Sequence, residues 1–328
     1  MMKDLGYLFI CDFDGTMANT FEKCPDGVGV SQAYEMAIEK VLGTYGMKLF
    51  NQVGGLQNRA PEEVVHLIFE KSDNKSSLFK WAEACFDAEA KTLQQLVPQG
   101  KGFSLEWKSN QEELIKRTIT EMLVLFKLSF LMKQVGVQMQ NGGQIWPRPC
   151  KGFLAFYELL PHLEKITGKR FQFAILSSGH DEFIKKTFEA WDIDFPVITV
   201  TDDDMRNRRY PSNVSGRVKP SPFLLDLIQS KWIGDGIIFS EYARHIELMR
   251  KTRKRMILFG DDPKKDGVLA ENAEIPFGLF KPSIPEIKKI GEKSFIFGDW
   301  AELMNFFLES RSIELFKKGC SFDEIISF

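Results

Sequence analysis

Little in this sequence is extreme, and what is scarce already narrows the field. No apolar run in the 328 residues approaches the ~20 needed to cross a bilayer, so no membrane span is expected. Charge of neither sign dominates: 43 Lys and Arg stand against 45 Asp and Glu, a formal net charge of −2. Nucleic-acid binding is not expected, because its electrostatic footprint would need a basic excess. Cysteine and histidine are sparse. Cys11, Cys24, Cys85, Cys150 and Cys320 form no CxxC pair, and none of the four histidines stands at ligand spacing from them, which leaves a zinc site unsupported. An odd, scattered set points to reduced thiols in a cytoplasmic protein. The opening residues, Met1-Met2-Lys3-Asp4-Leu5-Gly6, lack the apolar stretch of a secretory signal, which fits the same expectation. Internal repeats and low-complexity tracts are absent. Phenylalanine is abundant, at 29 residues in a chain that is 44% hydrophobic, and it reads as core rather than as a stacking platform.

The strand signals are short and widely separated: Tyr7 to Cys11, Phe171 to Leu176, Val197 to Val200, Met256 to Phe259, Phe277 to Phe280 and Phe295 to Phe297. Near-continuous apolar runs of this length are expected of parallel strands buried on both faces. Helical patterns lie between them, at Gly152 to Glu164, Glu182 to Ala190, Pro222 to Gln229, Tyr242 to Lys251 and Pro285 to Ile290. Alternation of strand and helix predicts an α/β fold, a Rossmann-like, doubly wound parallel sheet. One stretch breaks the rhythm. Between Thr16 and Phe171 no strand is predicted, and long helical patterns take its place. Ser31 is placed as the cap of a helix through Val41. Pro61 opens another, with Val64, Val65, Ile68 and Phe69 on its apolar face. Leu78, Trp81, Cys85, Thr92 and Leu96 recur near helical spacing, and Ser109 with Glu112 reads as a capping box. Residues 17–146 are therefore predicted to be an inserted all-helical domain, with 1–16 and 147–328 forming the α/β core. Trp146-Pro147-Arg148-Pro149 would be the return hinge, since two prolines discourage helix.

The candidate chemistry sits after strands. Asp12-Phe13-Asp14-Gly15-Thr16 directly follows the first apolar run. In open α/β sheets, sites form beyond the carboxyl ends of strands. Two carboxylates that converge there need a cation or a proton to relieve their repulsion. Taken alone, the pair could equally be a helix cap or an Asx turn. Three later features fall where one shared site would need them. Ser177 follows the second strand, and its hydroxyl with the N–H groups of Ser178 and Gly179 would make an oxyanion cradle. Lys219, before Pro220, would bring a point charge to a phosphate. Gly260-Asp261-Asp262, with Asp266 beyond, follows another strand and offers hard oxygen ligands for Mg²⁺. A second glycine–aspartate turn, Ile233-Gly234-Asp235-Gly236, lacks a strand before it and reads as a plain turn. The run Asp202-Asp203-Asp204 reads as a solvated loop or helix cap whose charge Arg206, Arg208 and Arg209 offset. His180 is assigned to the surface or to helix-start packing, with the rim of the cradle as the alternative.

In this order the four segments resemble the motifs of the haloacid dehalogenase-like hydrolase superfamily: Asp12-Phe13-Asp14-Gly15-Thr16 the first, Phe173-Ala174-Ile175-Leu176-Ser177 the second, Lys219 the third, and Phe259-Gly260-Asp261-Asp262 with Asp266 the fourth. The helical insert is similar in position to the cap of the subfamily containing phosphoglycolate phosphatase and β-phosphoglucomutase. The resemblance implies a Mg²⁺-dependent phosphatase acting on a small-molecule phosphate ester. Asp12 would be the nucleophile that forms an aspartyl-phosphate and Asp14 the general acid and base. Asp12, the Asp14 carbonyl and Asp261 would hold the metal, with Asp262 or Asp266 orienting Lys219 or the metal's waters. Ser177, Ser178, Gly179 and Lys219 would hold phosphoryl oxygens. Arg59, after Gly54-Gly55-Leu56-Gln57-Asn58, would be a substrate-binding residue on a cap loop. Phosphotransfer to a sugar hydroxyl, and a non-catalytic binding protein that keeps the fold, are the alternatives. Asp14 disfavours dehalogenation, which expels halide and needs no acid there.

Overall fold

The structure, a computed structural model, describes residues 5–56, 59–96, 105–107, 111–139, 143–201, 203–204, 219–234 and 251–327. The chain divides into two compact units. One comprises Met1–Asn19, Arg148–Ile184 and Trp191–Phe328; the other comprises Thr20–Pro147 with Lys185–Ala190.

The first unit is built on a seven-stranded sheet. Its strands are β1 (Tyr7–Cys11), β4 (Phe171–Leu176), β5 (Ile198–Val200), β6 (Met256–Gly260), β7 (Phe277–Phe280), β8 (Lys288–Lys289) and β9 (Ser294–Phe297). The order across the sheet is β5-β4-β1-β6-β7-β9-β8, and every pairing is parallel except that of β8 with β9. β1 is entirely buried, as a parallel strand between two others must be. The chain leaves β1 toward β4 and β5, then returns to pair β6 on its other side, so the end of β1 lies where the connections diverge.

Side chains of β1 alternate between two cores. Leu8 and Ile10 join Leu224, Leu225 and Ile228 of a helix over Phe223–Ile233, and Leu269 and Ala270 of one over Val268–Asn272. Tyr7 and Phe9 face an aromatic layer that absorbs much of the phenylalanine. Tyr7 stacks on Phe171 at 5.4 Å, Phe9 meets Phe156 edge-on at 5.6 Å, and Phe156 meets Trp300 at 4.9 Å. Such pairs contribute about 0.5–1.5 kcal/mol each beyond burial. Helices thus cover both faces of the sheet, as the doubly wound reading expects.

The second unit packs α1 (Val30–Gln52), α2 (Pro61–Lys71), α3 (Lys75–Leu96) and α4 (Glu112–Met132) around Tyr34, Ile38, Val64, Ile68, Phe69, Ile119 and Met122. Pro61 opens α2 as its spacing predicts. α1 runs well past Val41, because Leu42, Leu49 and Phe50 continue the buried face, and it kinks at Gly43. α4 starts at Glu112 with Gln111 as its cap, so Glu112 holds the first helical position rather than the third. Ser109 lies outside the described residues, as do Asp202, Asp235, Arg206, Arg208, Arg209 and most of the Tyr242 to Lys251 pattern.

Two further expectations need correction. The stretch from Thr16 to Phe171 contains a two-residue pairing, β2 (Ala18–Asn19) with β3 (Arg148–Pro149), which is too short to leave a pattern. Pro285 to Ile290 forms no helix. Lys288 and Lys289 are exposed edge-strand residues paired with Ile296 and Phe295, and their charges keep another strand from pairing on that edge. Among the described residues no helix is long and apolar enough to cross a membrane.

Candidate active site

Asp12 stands one residue beyond β1, and its N–H donates to the Phe259 carbonyl of β6 at 2.9 Å. The Phe13 carbonyl then accepts from the N–H groups of Thr16, Met17 and Ala18 at 3.4, 3.1 and 3.0 Å, closing a tight turn. Phe13 is fully buried against Phe183 and Trp191. This anchors the turn between its two aspartates.

Lys219 reaches Asp12 from the sequence-distant segment before the Phe223–Ile233 helix. Its Nζ lies 2.5 Å from Asp12 Oδ1 and 2.7 Å from Asp266 Oδ1. Asp266 sits in a helical turn over Pro263–Gly267 that follows β6, and its approach requires glycine at 260. A Cβ there would lie 2.3 Å from Asp266 Oδ2. Among the described residues, Asp12, Asp261 and Asp266 form a cluster of three acidic groups with one oxygen of each within 4.8 Å of the others. Asp262 is used differently. Its Oδ1 accepts from the N–H groups of Lys264 and Lys265 at 2.8 and 3.2 Å and so caps the following turn. Of the two residues offered for orienting Lys219, the structure brings Asp266 to it.

The second strand end contributes Ser177, whose N–H donates to Val200 at 3.0 Å and whose Oγ accepts the Gly179 N–H at 2.9 Å. A Cβ on Gly179 would lie 3.1 Å from Ser177 Oγ and 3.5 Å from Asp14 Oδ2. The hydroxyl, Ser178-Gly179 and the Asp14 carboxylate therefore share one rim, and a side chain at 179 would fill it.

Electrostatics are set by burial. It pushes the Asp12 carboxyl well above the usual range; Lys219 opposes this, while Asp266 and Asp14 add to it. Burial would depress the Lys219 ammonium, but Asp12 and Asp266 outweigh it and hold it above its ordinary value. Asp261 is pushed up to about 6 by burial, with Asp266 adding and Lys281 opposing. Lys281 follows β7, and its Nζ donates to the Asp261 carbonyl at 3.0 Å. In their ionised forms Asp12, Asp14, Asp261 and Asp266 outweigh Lys219 and Lys281 by two negative charges. One hard divalent cation would neutralise them, and an all-oxygen donor set of this kind suits Mg²⁺.

Sequence reasoning missed three supports. Lys281 was findable by the rule that strand ends carry site residues. Trp300 was not: its buried indole N–H donates 2.9 Å to the Thr16 carbonyl in the acidic turn, 284 positions away. The third is Asp203, which is fully buried beside a buried His180 rather than solvated. Arg59, in the helical unit, donates to the Val53 carbonyl at 2.6 Å and lies 3.8 Å from Glu63, so its guanidinium ties down its own loop.

No known family's sequence model matches the chain, and no curated protein matches it. Solved structures do. The HAD-hydrolase YfnB from Bacillus subtilis, bound to magnesium, is 11% identical, with 93% of this chain and 99% of that one covered and a TM-score of 0.40. The 2-haloacid dehalogenase from Pseudomonas syringae is 13% identical, with 91% and 96% covered and a TM-score of 0.39. CbbY from Rhodobacter sphaeroides, in complex with phosphate, is 15% identical, with 91% and 96% covered and a TM-score of 0.38. Each of these likenesses spans more than nine-tenths of this chain at low identity.

Proposed function

We propose that this chain is a Mg²⁺-dependent phosphatase that hydrolyses a small-molecule phosphomonoester through an aspartyl-phosphate. The observation that carries the reading is the buried Asp12–Lys219–Asp266 ion triad beside Asp261, with Asp14 two residues from Asp12 on the rim that holds Ser177. A carboxylate nucleophile needs an adjacent cation to approach a phosphate dianion, and an acid nearby to protonate the leaving oxygen.

An oxygen of Asp12 attacks phosphorus in line. As the bond to the ester oxygen breaks, Asp14 gives that oxygen its proton. The alcohol leaves, and the Asp14 carboxylate then takes a proton from water. That water attacks the phosphorus of the acyl-phosphate and releases inorganic phosphate and Asp12. Lys219 and the Ser177–Gly179 turn hold the peripheral oxygens and stabilise the charge that spreads over them. Asp12, Asp261 and the Asp14 carbonyl would hold Mg²⁺, which would screen carboxylate from phosphate. Asp266 holds Lys219 by a second ion pair, 2.7 Å from its Nζ. The inserted helical unit is assigned the selection of a small substrate.

The test is hydrolysis of an aryl phosphate with Mg²⁺ by the wild type and by Asp12→Asn. Activity should vanish in the variant and with chelator; equal rates in the two proteins would reject Asp12 as nucleophile. Phosphate appearing on an added sugar rather than in water would turn the reading to phosphotransfer.

A further inference from the structure

Behind the Ser177–Gly179 turn lies a buried polar cluster to which the proposed chemistry gives no task. His180 is 4% exposed and Asp203 is not exposed at all. The two oxygens of Asp203 divide between two partners. Oδ1 lies 3.0 Å from His180 Nδ1, and Oδ2 accepts the backbone N–H of Asp181, the first residue of the helix over Asp181–Ala190, at 2.8 Å. Thr201 Oγ1 donates to Asp181 Oδ1 at 2.7 Å, and the Thr201 N–H donates to Asp204 Oδ2 at 3.0 Å. Lys231 fastens the same loop from the Phe223–Ile233 helix: its Nζ donates to the Thr199 carbonyl at 2.5 Å and lies 3.2 Å from Asp204.

A fully buried carboxylate is costly unless it is paired and hydrogen-bonded. Its bonds to His180 and to the Asp181 N–H offset that cost, and the same bonds tie the start of the helix to the segment after β5. The turn from Ser177 to Asp181 is pinned at both ends on the β5 segment: by the Ser177 N–H on Val200, and by His180 and Asp181 on Asp203. Between the pins, the Gly179 N–H sets the direction of the Ser177 hydroxyl. A shift of His180 moves Gly179, and with it the oxygen that would face a phosphoryl group.

We propose that His180 and Asp203 are a positioning pair that presets the Ser177–Gly179 turn for a phosphoryl group, and that they govern affinity for the phosphate of substrate and product. This rests on the phosphatase reading but is read by a separate measurement. Inorganic phosphate binding, with Mg²⁺ present, is measured by calorimetry and as competitive product inhibition, in the wild type, His180→Ala, His180→Asn and Asp203→Asn. Losing a bond to a buried carboxylate should weaken phosphate binding and raise KM together by about tenfold in His180→Ala. His180→Asn, whose amide can reach Asp203 from nearly the place of Nδ1, should restore both to within about threefold, a rescue that general destabilisation would not produce. Should His180→Ala not fold, Asp203→Asn must show the same joint rise beside a folded His180→Asn. Unchanged phosphate affinity in the folded variants, or His180→Asn as weak as His180→Ala, would overturn the proposal. A wild type that binds phosphate without hydrolysing esters would sink the phosphatase reading, and the calorimetric comparison of the variants would still decide whether the pair presets the turn for phosphate.

Discussion

Removing the ammonium of Lys219 while keeping the length of its side chain is the sharpest probe of the buried triad. The side chains of Lys219, Asp12 and Asp266 are 5%, 12% and 2% exposed, so water can replace little of the lost charge. Lys219→Met keeps the apolar stem and leaves two carboxylates facing each other beside Asp261. Breaking a buried pair by removing one partner costs about 3–5 kcal/mol. In a domain of this size that is a fall in Tm of roughly 6–20 °C. The loss should depend on pH with a definite sign. Burial already favours the protonated form of Asp12, and loss of Lys219 favours it further, so protonation relieves the repulsion. The deficit should be largest near pH 8 and shrink toward pH 5. Mg²⁺ should also shrink it, by supplying the missing positive charge. Thermal unfolding of both proteins at pH 8 and pH 5, in chelator and in Mg²⁺, gives the comparison. A deficit below ~1 kcal/mol at pH 8 in chelator, or one equal at both pH values, would refute the claim that this triad is a buried charge balance.

Trp300→Phe keeps an aromatic ring but leaves the buried Thr16 carbonyl without its donor, a cost of about 1–3 kcal/mol. Because that carbonyl belongs to the turn carrying Asp14, kcat for an alkyl phosphate should fall more than kcat for an aryl phosphate, whose leaving group needs less protonation; an unchanged ratio would deny Trp300 any hold on the acid. Since burial holds Asp261 up to about 6 and also raises Asp12, and each ligand must lose its proton to bind, Mg²⁺ affinity should fall at least tenfold per unit below pH ~6. Calorimetry showing level affinity from pH 5 to 7 would contradict this. Gly179→Ala should lose phosphate affinity, since its methyl would lie 3.1 Å from Ser177 Oγ in the rim; full activity would mean that phosphate does not use that rim. Burial pushes the Cys24 and Cys150 thiols up to about 12, so at pH 8 their thiolate fraction is about one in ten thousand. Both should resist alkylation in the native protein and react on unfolding, and rapid native labelling would show that they are not buried.

How much of this was legible depends on whether a feature is local. β1, β4, β6 and β7 announce themselves because a parallel strand covered on both faces is apolar almost throughout, and each ends where the polar residues begin. Asp12, Asp14, Ser177 and Asp261 could therefore be placed at strand ends without coordinates. Lys281 obeys the same rule but looks like any lysine after a strand. The edge strand at Lys288 was hidden because two exposed lysines carry no apolar pattern. Asp203 misled for a different reason. An acidic run followed by arginines reads as a solvated loop or a helix cap, and only the fold shows that Asp203 serves the helix starting at Asp181, beside His180, 23 positions earlier. Trp300 illustrates the same limit, since a tryptophan after a phenylalanine-rich strand signals core, which it is, and gives no sign of which carbonyl it serves.

The sheet explains why residues so far apart in sequence meet at the end of β1. Cys11 is paired with Ile175 on one side and Phe259 on the other, so the chain beyond each of the three strands emerges at the same level. Rigid ladders thus fix where the loops begin, and short local devices fix how they turn: the Phe13 carbonyl after β1, the Ser177 hydroxyl after β4, and the Asp262 cap after β6. What remains is electrostatic. Carboxylates gathered at the end of an apolar strand repel one another and are desolvated, and the two lysines leave that charge only partly balanced. The same imbalance that disfavours the empty arrangement favours a divalent cation, and with the cation a dianionic phosphate can approach Asp12. In this fold, metal affinity and the reactivity assigned to Asp12 have one physical source, which is why Lys219→Met should weaken the protein most under the conditions where Mg²⁺ rescues it best.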